Sequence, residues 1–173
     1  FPLFYSTSFG GAYWVWVLIL FTFIIQAISY EFQNKAGNLF GVRTFQTGLI
    51  INGILGPLLL GGAVATFFTG SNFIVEKGNI TDFMQPVISH WANGSRGLDV
   101  LLNPWVVIFG ISVVFLARIL GTLYINNNVN DDIIRGRVRK QLLVNTVLFL
   151  LFFLPFLIVT LGNIKSSAFL SLI

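Results

Sequence analysis

The sequence predicts an all-α integral membrane protein with four transmembrane helices. Composition is the first ground: of 173 residues, 55% are hydrophobic, 16% aromatic and only 9% charged, with a mean hydropathy of +0.86. An ordinary soluble domain carries about 25% charged residues, and so little charge would not cover the surface of a soluble fold. Patterning is the second. The apolar residues gather into four runs that meet the roughly 20 residues needed to cross a bilayer. Each run is apolar all the way round, without the alternation of a membrane β-barrel.

Taken in order, the spans run from about Gly11 to Ser29, Thr44 to Thr69, Pro104 to Asn126 and Gln141 to Gly162. Trp14 and Trp16 sit near one end of the first span and Trp105 near the start of the third, with Tyr30 and Tyr124 at the opposite ends. These are the interface positions that amphipathic rings favour. The second span, NGILGPLLLGGAVATFFTG, carries Gly53, Gly56, Gly61 and Gly62, and the third carries Ala117 and Gly121. Small residues at such spacings let helix backbones approach closely in lipid. Pro57, in mid-span, removes one backbone hydrogen bond and predicts a kink. The fourth span follows a polar turn containing RGRVRK.

The connections set an expected orientation. Residues 31–43 hold Glu31, Lys35 and Arg43, and residues 127–140 hold Asp131 and Asp132 followed by Arg135, Arg137, Arg139 and Lys140. The segment 70–103 has no basic excess. Lys and Arg beside spans mark the cytoplasmic side, so 31–43 and 127–140 are expected in the cytoplasm and 70–103 outside. That loop also divides the chain into 1–70, the exterior connection 71–103 and 104–173, and Asn103-Pro104 restarts a helix with Pro in its first turn. The sequons at Asn79 and Asn93 lie in it. The net charge of +4 collects beside the spans, a membrane-topology pattern rather than a nucleic-acid patch.

Chemistry is sparse. The chain has no Cys and one His, which excludes disulfides, thiolate sites, and a bis-His haem or His-based zinc site made by this chain alone. No phosphate loop, Ser–His–Asp set or carboxylate pair stands in position for catalysis, so no catalytic, cofactor-binding or metal-binding residue is expected. His90, beside Trp91, reads as a surface or packing residue. Polar residues inside a span are the default place to look for function. Gln26, Asn52, Arg118 and Asn145 supply one per helix, each about five to nine residues from the basic end, or roughly 7–14 Å deep. The three amides suit interhelical hydrogen bonds. Arg118 has three readings: it snorkels to the headgroups, pairs with Glu31, or pairs with an acid on a partner. Glu31 itself is an interface acid at the end of the first span.

Four stretches carry a resemblance: SYEFQNK (Ser29–Lys35), GPLLLGGAVATFFTG (Gly56–Gly70), LLNPWVVIFG (Leu101–Gly110) and the RGRVRK turn. In this order the chain resembles subunit II of the cytochrome bd-type quinol oxidases. The resemblance implies two four-helix bundles in tandem, of which this chain would be the second half of one and the first half of the next. The chain opens on Phe1 with no basic leader and is read as an internal piece of a longer protein. The family's acidic, Trp-containing motif would lie upstream. Gln33 stands where an Arg often follows the acid–aromatic pair, leaving Lys35 or Arg43 as substitutes.

The resemblance further implies quinol oxidation coupled to reduction of oxygen to water. Haems b and d would lie in the partner subunit I of a heterodimer, in a bacterial inner membrane, with this chain haem-free. Two other readings stand beside it: a secondary transporter fragment with a helix broken at Gly56-Pro57, and a purely structural membrane scaffold.

Overall fold

The computed structural model describes residues 2–76 and 88–170; the sequon at Asn79 lies outside them. Five helices and one hairpin follow one another: α1 Pro2–Gly11, α2 Tyr13–Phe32, α3 Val42–Thr69, β1 Phe73–Glu76, β2 Ile88–Trp91, α4 Pro104–Asn128 and α5 Asp132–Leu170. A 3-10 turn at Asp99–Leu102 leads into α4. The helices α2, α3, α4 and α5 are each long and apolar enough to span a bilayer, as composition and patterning predict. Each packs chiefly against its neighbours in sequence. Connections α2–α3 and α4–α5 lie at one end, which carries Lys35, Arg43 and Arg135–Lys140 and is called the basic end below. The hairpin lies at the other.

One boundary differs from the expected ones, and two elements are additions to them. The first span, expected from about Gly11, is the single helix α2 from Tyr13, and a separate helix α1 precedes it, broken from it at Ala12 (φ −127°, ψ 38°). The last helix starts at Asp132, not Gln141, so RGRVRK is its opening turns and not a loop. Asp131 caps it, its Oδ1 accepting from the backbone N–H of Ile133 at 2.8 Å and of Ile134 at 3.0 Å. Among its described residues the 70–103 connection carries a hairpin: β1 and β2 pair antiparallel with Phe73 opposite Trp91 and Ile74 opposite His90. The helix restart at Asn103-Pro104 is as expected, with the Asn103 side chain accepting from Trp105 N–H at 3.0 Å.

The hairpin end is stitched to the α1–α2 break. Trp91 Nε1 donates to Gly10 O at 2.8 Å, Trp16 Nε1 to Ser8 O at 3.3 Å and Trp14 N to Arg96 O at 3.4 Å. Gly97 makes this contact possible. Its φ is +91°, and a Cβ there would lie 2.7 Å from Gly11 O and 2.8 Å from Ala12 Cα. Asp99 closes the connection, accepting from Asn72 Nδ2 at 2.5 Å and from Ser95 Oγ at 2.6 Å. Burial pushes the Asp99 carboxyl up, and the hydrogen bonds from Ser95, Asn72, Asn93 and its own backbone outweigh it, so its pKa falls below the usual 3.8.

Buried apolar packing is concentrated towards this same end. One cluster joins Ala12, Val15, Ile19, Leu59 and Ala63, with Trp16 and Leu101 against it. A second joins Ala65, Val100, Val106 and Phe156. Large apolar side chains such as Leu20, Phe21, Ile50, Leu120 and Leu151 face outward, as a lipid-facing surface permits. The hydroxyls of Thr22, Thr66, Ser112 and Thr146 donate to carbonyls three or four residues back on their own helices, at 2.7–2.8 Å. They are satisfied locally, which is what a water-free interior demands.

Candidate functional site in the membrane

The α3–α4 crossing decides the shape of the interior. A Cβ at Gly61 would stand 2.8 Å from Gly110 Cα, and one at Gly110 would stand 2.7 Å from Leu58 O. Backbone meets backbone there, with Gly62 beside it facing Leu101 and Val106. Towards the basic end a cleft of about 500 Å³ opens between α2, α3 and α4, lined by Phe23, Gln26, Asn52, Gly53, Gly56, Pro57, Leu60, Val113, Leu116, Ala117 and Leu120. Pro57 lies on its wall inside a helix that continues from Val42 to Thr69. The transporter reading needs a broken helix at Gly56-Pro57, and α3 runs through.

Two of the four polar residues meet. Asn52 Nδ2 donates to Gln26 Oε1 at 2.7 Å across α2 and α3. The rungs on either side hold small and hydroxylic residues. A Cβ at Gly48 would meet Ser29 Oγ at 2.7 Å, and one at Gly56 would lie 3.6 Å from Thr22 Oγ1. The helices approach closely enough for two short amides to bond because Gly occupies α3 one turn either way.

Asn145 is buried at 2% exposure on α5. Phe115 stacks on Phe152 and Phe109 packs on Phe153 and Phe156 along the same α4–α5 seam. Asn52 Oδ1 and Asn145 Nδ2 are both buried without a hydrogen-bond partner among the described residues. Leaving such an atom unpaired costs about 1–3 kcal/mol.

Arg118 does not join this group. At about 100° per residue it stands roughly 140–160° round α4 from Val113 and Leu120, which line the cleft. It is exposed, and among the described residues it makes no hydrogen bond or ion pair. Glu31 pairs with Lys35 instead, Oε1 to Nζ at 3.1 Å, with both side chains more than half exposed. Lys35 also sits 4.4 Å above the Phe32 ring. Of the two substitutes for the missing Arg, Lys35 is therefore the one beside Glu31.

The small residues divide in the same way. Gly56, Gly61 and Gly62 have close neighbours, while nothing lies within 4 Å of a Cβ built at Gly53 or Gly121. Those two do not serve helix packing within the described residues, and Gly53 and Ala117 line the cleft instead. The sequence reading passed over Gly110, although it lies seven residues before Ala117 and eleven before Gly121, on the same helix face.

Chemically, the site offers hydrogen-bonding amides and no titratable group inside the cleft, so it can hold a polar partner but cannot exchange a proton with one near neutral pH. No group of three or more His, Cys, Asp or Glu that could hold a metal occurs among the described residues.

Four spans, a close glycine crossing and an interior without a catalytic set define a multi-pass α-helical membrane protein. The family model for cytochrome bd terminal oxidase subunit II matches residues 1–173, and the chain belongs to that family. It is similar to cytochrome bd ubiquinol oxidase subunit 2 of Bacillus subtilis (strain 168), with 21% identity over 144 residues. That alignment covers 82% of this chain and 37% of the relative, so the chain spans little more than a third of the relative's length. Cys is absent, the one Met is Met84, outside the described residues, and His90 is exposed on β2, in the hairpin beyond the spans.

Proposed function

We propose that this chain is a haem-free part of subunit II of a bd-type oxidase, supporting quinol oxidation coupled to reduction of oxygen to water. Haems b and d belong to the partner subunit I in this reading, quinol is the substrate of the complex, and the two subunits form a heterodimer. The family match over residues 1–173 carries the proposal, and a chain with no Cys and a single His, which cannot supply bis-His or thiolate ligation, supports it. The basic end faces the cytoplasm of a bacterial inner membrane, because Arg135, Arg137, Arg139, Lys140, Lys35 and Arg43 gather there. Residues 1–70 and 104–173 belong to successive bundles joined by the exterior segment 71–103, and the Gly61–Gly110 crossing is where the two halves meet.

Within this reading the Gln26–Asn52 bond and the buried Asn145 fix helix register, and Arg118 faces a neighbouring subunit or the headgroups. The test is single replacement of Glu31, Asn52 and Arg118 in the full complex, with quinol oxidase turnover measured against haem content. The expected result is lower haem content per purified complex with turnover per haem retained. A chain expressed alone that shows a haem spectrum overturns the proposal. Turnover per haem and haem content both unchanged in all three variants favours a passive scaffold.

A further inference from the structure

A further cavity lies outside the amide site, between the basic ends of α4 and α5. It has a volume of about 570 Å³ and is bounded by Asn126, Asn127, Arg135 and Arg139 above Leu123 and Leu142. The polar rim and apolar floor occur within one turn of each other. This is the profile of the boundary between headgroups and acyl chains, where α4 leaves the apolar layer and α5 enters it.

The charge in the rim is poorly spent inside the chain. Arg135 Nη2 donates to Asn130 Oδ1 at 2.9 Å, and its Nη1 lies 3.8 Å from Asp132, whose side chain is 99% exposed. An exposed pair at that distance contributes little. Asp131 is occupied as the helix cap. Arg139 makes no hydrogen bond or ion pair among the described residues. Four cations, Arg135, Arg137, Arg139 and Lys140, face two acids, Asp131 and Asp132, leaving a local charge of +2. Guanidinium groups recognise phosphate oxygens in forked pairs, and basic pockets between membrane helices hold anionic headgroups.

We propose that this cavity binds the phosphodiester headgroup of an anionic phospholipid, with Arg139 and Arg135 on the phosphate, the asparagine amides on its glycerol or headgroup hydroxyls, and Leu123 and Leu142 under the first acyl carbons. The proposal rests on the membrane-spanning architecture and not on the oxidase reading.

The test is native mass spectrometry of the full-length subunit in its purified, delipidated complex, titrated with phosphatidylglycerol or phosphatidylcholine. Arg139→Gln breaks no bond within the described residues, so the fold is retained. Its expected effect is a roughly fivefold loss of phosphatidylglycerol affinity, the contribution of one cation at a membrane surface. Arg137→Gln removes the same charge outside the cavity and costs clearly less than Arg139→Gln, an equal loss in the two overturning the site, and phosphatidylcholine binds equally weakly to all. Equal phosphatidylglycerol binding by the wild type and Arg139→Gln overturns the proposal, as does equal retention of the two lipids by the wild type. Millimolar inorganic phosphate leaves bound phosphatidylglycerol in place; if it displaces the lipid, the site is one for free phosphate and the lipid assignment falls.

Discussion

Replacing Gly61 with Ala adds one methyl group at the tightest point in the membrane. That carbon would stand 2.8 Å from Gly110 Cα and 2.9 Å from both Val113 Cβ and Val113 Cγ2, where ordinary contact begins at 3.4 Å. The shortfall is 0.6 Å (3.4 − 2.8), and it faces backbone, which cannot rotate aside as a flexible side chain would. The helices α3 and α4 must therefore part by about that distance at the crossing. A gap of 0.5–1 Å forfeits about a quarter to a half of each dispersion contact along the seam, so Gly62 against Leu101 and Val106 loosens too. Overpacking of this kind costs about 1–3 kcal/mol.

Gly53→Ala is the matched control, because nothing lies within 4 Å of its Cβ and Ala is the better helix former by up to about 1 kcal/mol. Thermal unfolding of the full complex in nanodiscs separates them: Gly61→Ala lowers Tm, while Gly53→Ala leaves it level or raises it. Equal Tm values for the two variants would refute the backbone crossing.

Further outcomes follow from the same structure. A double-mutant cycle on Gln26→Ala and Asn52→Ala should return a coupling of about 0.6 kcal/mol, the usual size of an interhelical polar contact; zero coupling would mean that the 2.7 Å bond does not form in lipid. Gly97→Ala forces a side chain into left-handed backbone against Gly11 O and should expose segment 88–103 to faster hydrogen exchange without shifting the spans; unchanged exchange would remove the docked hairpin. Asp99 has a lowered pKa, so its contribution is complete above the ordinary value of 3.8 and lost as pH falls through the lower folded value. Exchange in 88–103 should rise below pH 3.8 in the wild type and lose that dependence in Asp99→Asn, and a retained acid step would assign it elsewhere. Lys35→Ala removes an exposed pair and should cost less than about 1 kcal/mol in thermal unfolding.

Membrane crossing is legible in one dimension, because hydropathy reports which residues can lie in oil. It does not report where a helix stops. Arg135, Arg137, Arg139 and Lys140 are good helix formers that prefer water, and with the Asp131 cap α5 begins nine residues before the apolar run despite Gly136. The break at Gly11–Ala12 is invisible locally, since it is the docking of Gly97 and Trp91 from more than 80 residues away that makes room for it. The placing of Gln26, Asn52, Arg118 and Asn145 one to each spanning helix was readable, whereas the direction each faces was not. Gln26 and Asn52 bond because Gly48 and Gly56 bring α2 and α3 together, while Arg118 looks the other way. Pro155, inside α5, shows in addition that a proline in a span need not mark a functional break.

The glycine crossing also sets how the subunit yields to force. Gly61 and Gly110 touch on the hairpin side of mid-span, where Trp16, Leu101 and Phe156 are packed, and the opposite side is held open by the 500 Å³ cleft. Such an arrangement is a fulcrum with one stiff arm and one compliant arm. Asn52 is nine residues from Gly61, a lever of about 13 Å, so a tilt of roughly 5° moves the Asn52 level by about 1 Å while the crossing itself scarcely shifts. A tilt about the crossing would therefore change the cleft at the Asn52 level far more than the contact at Gly61.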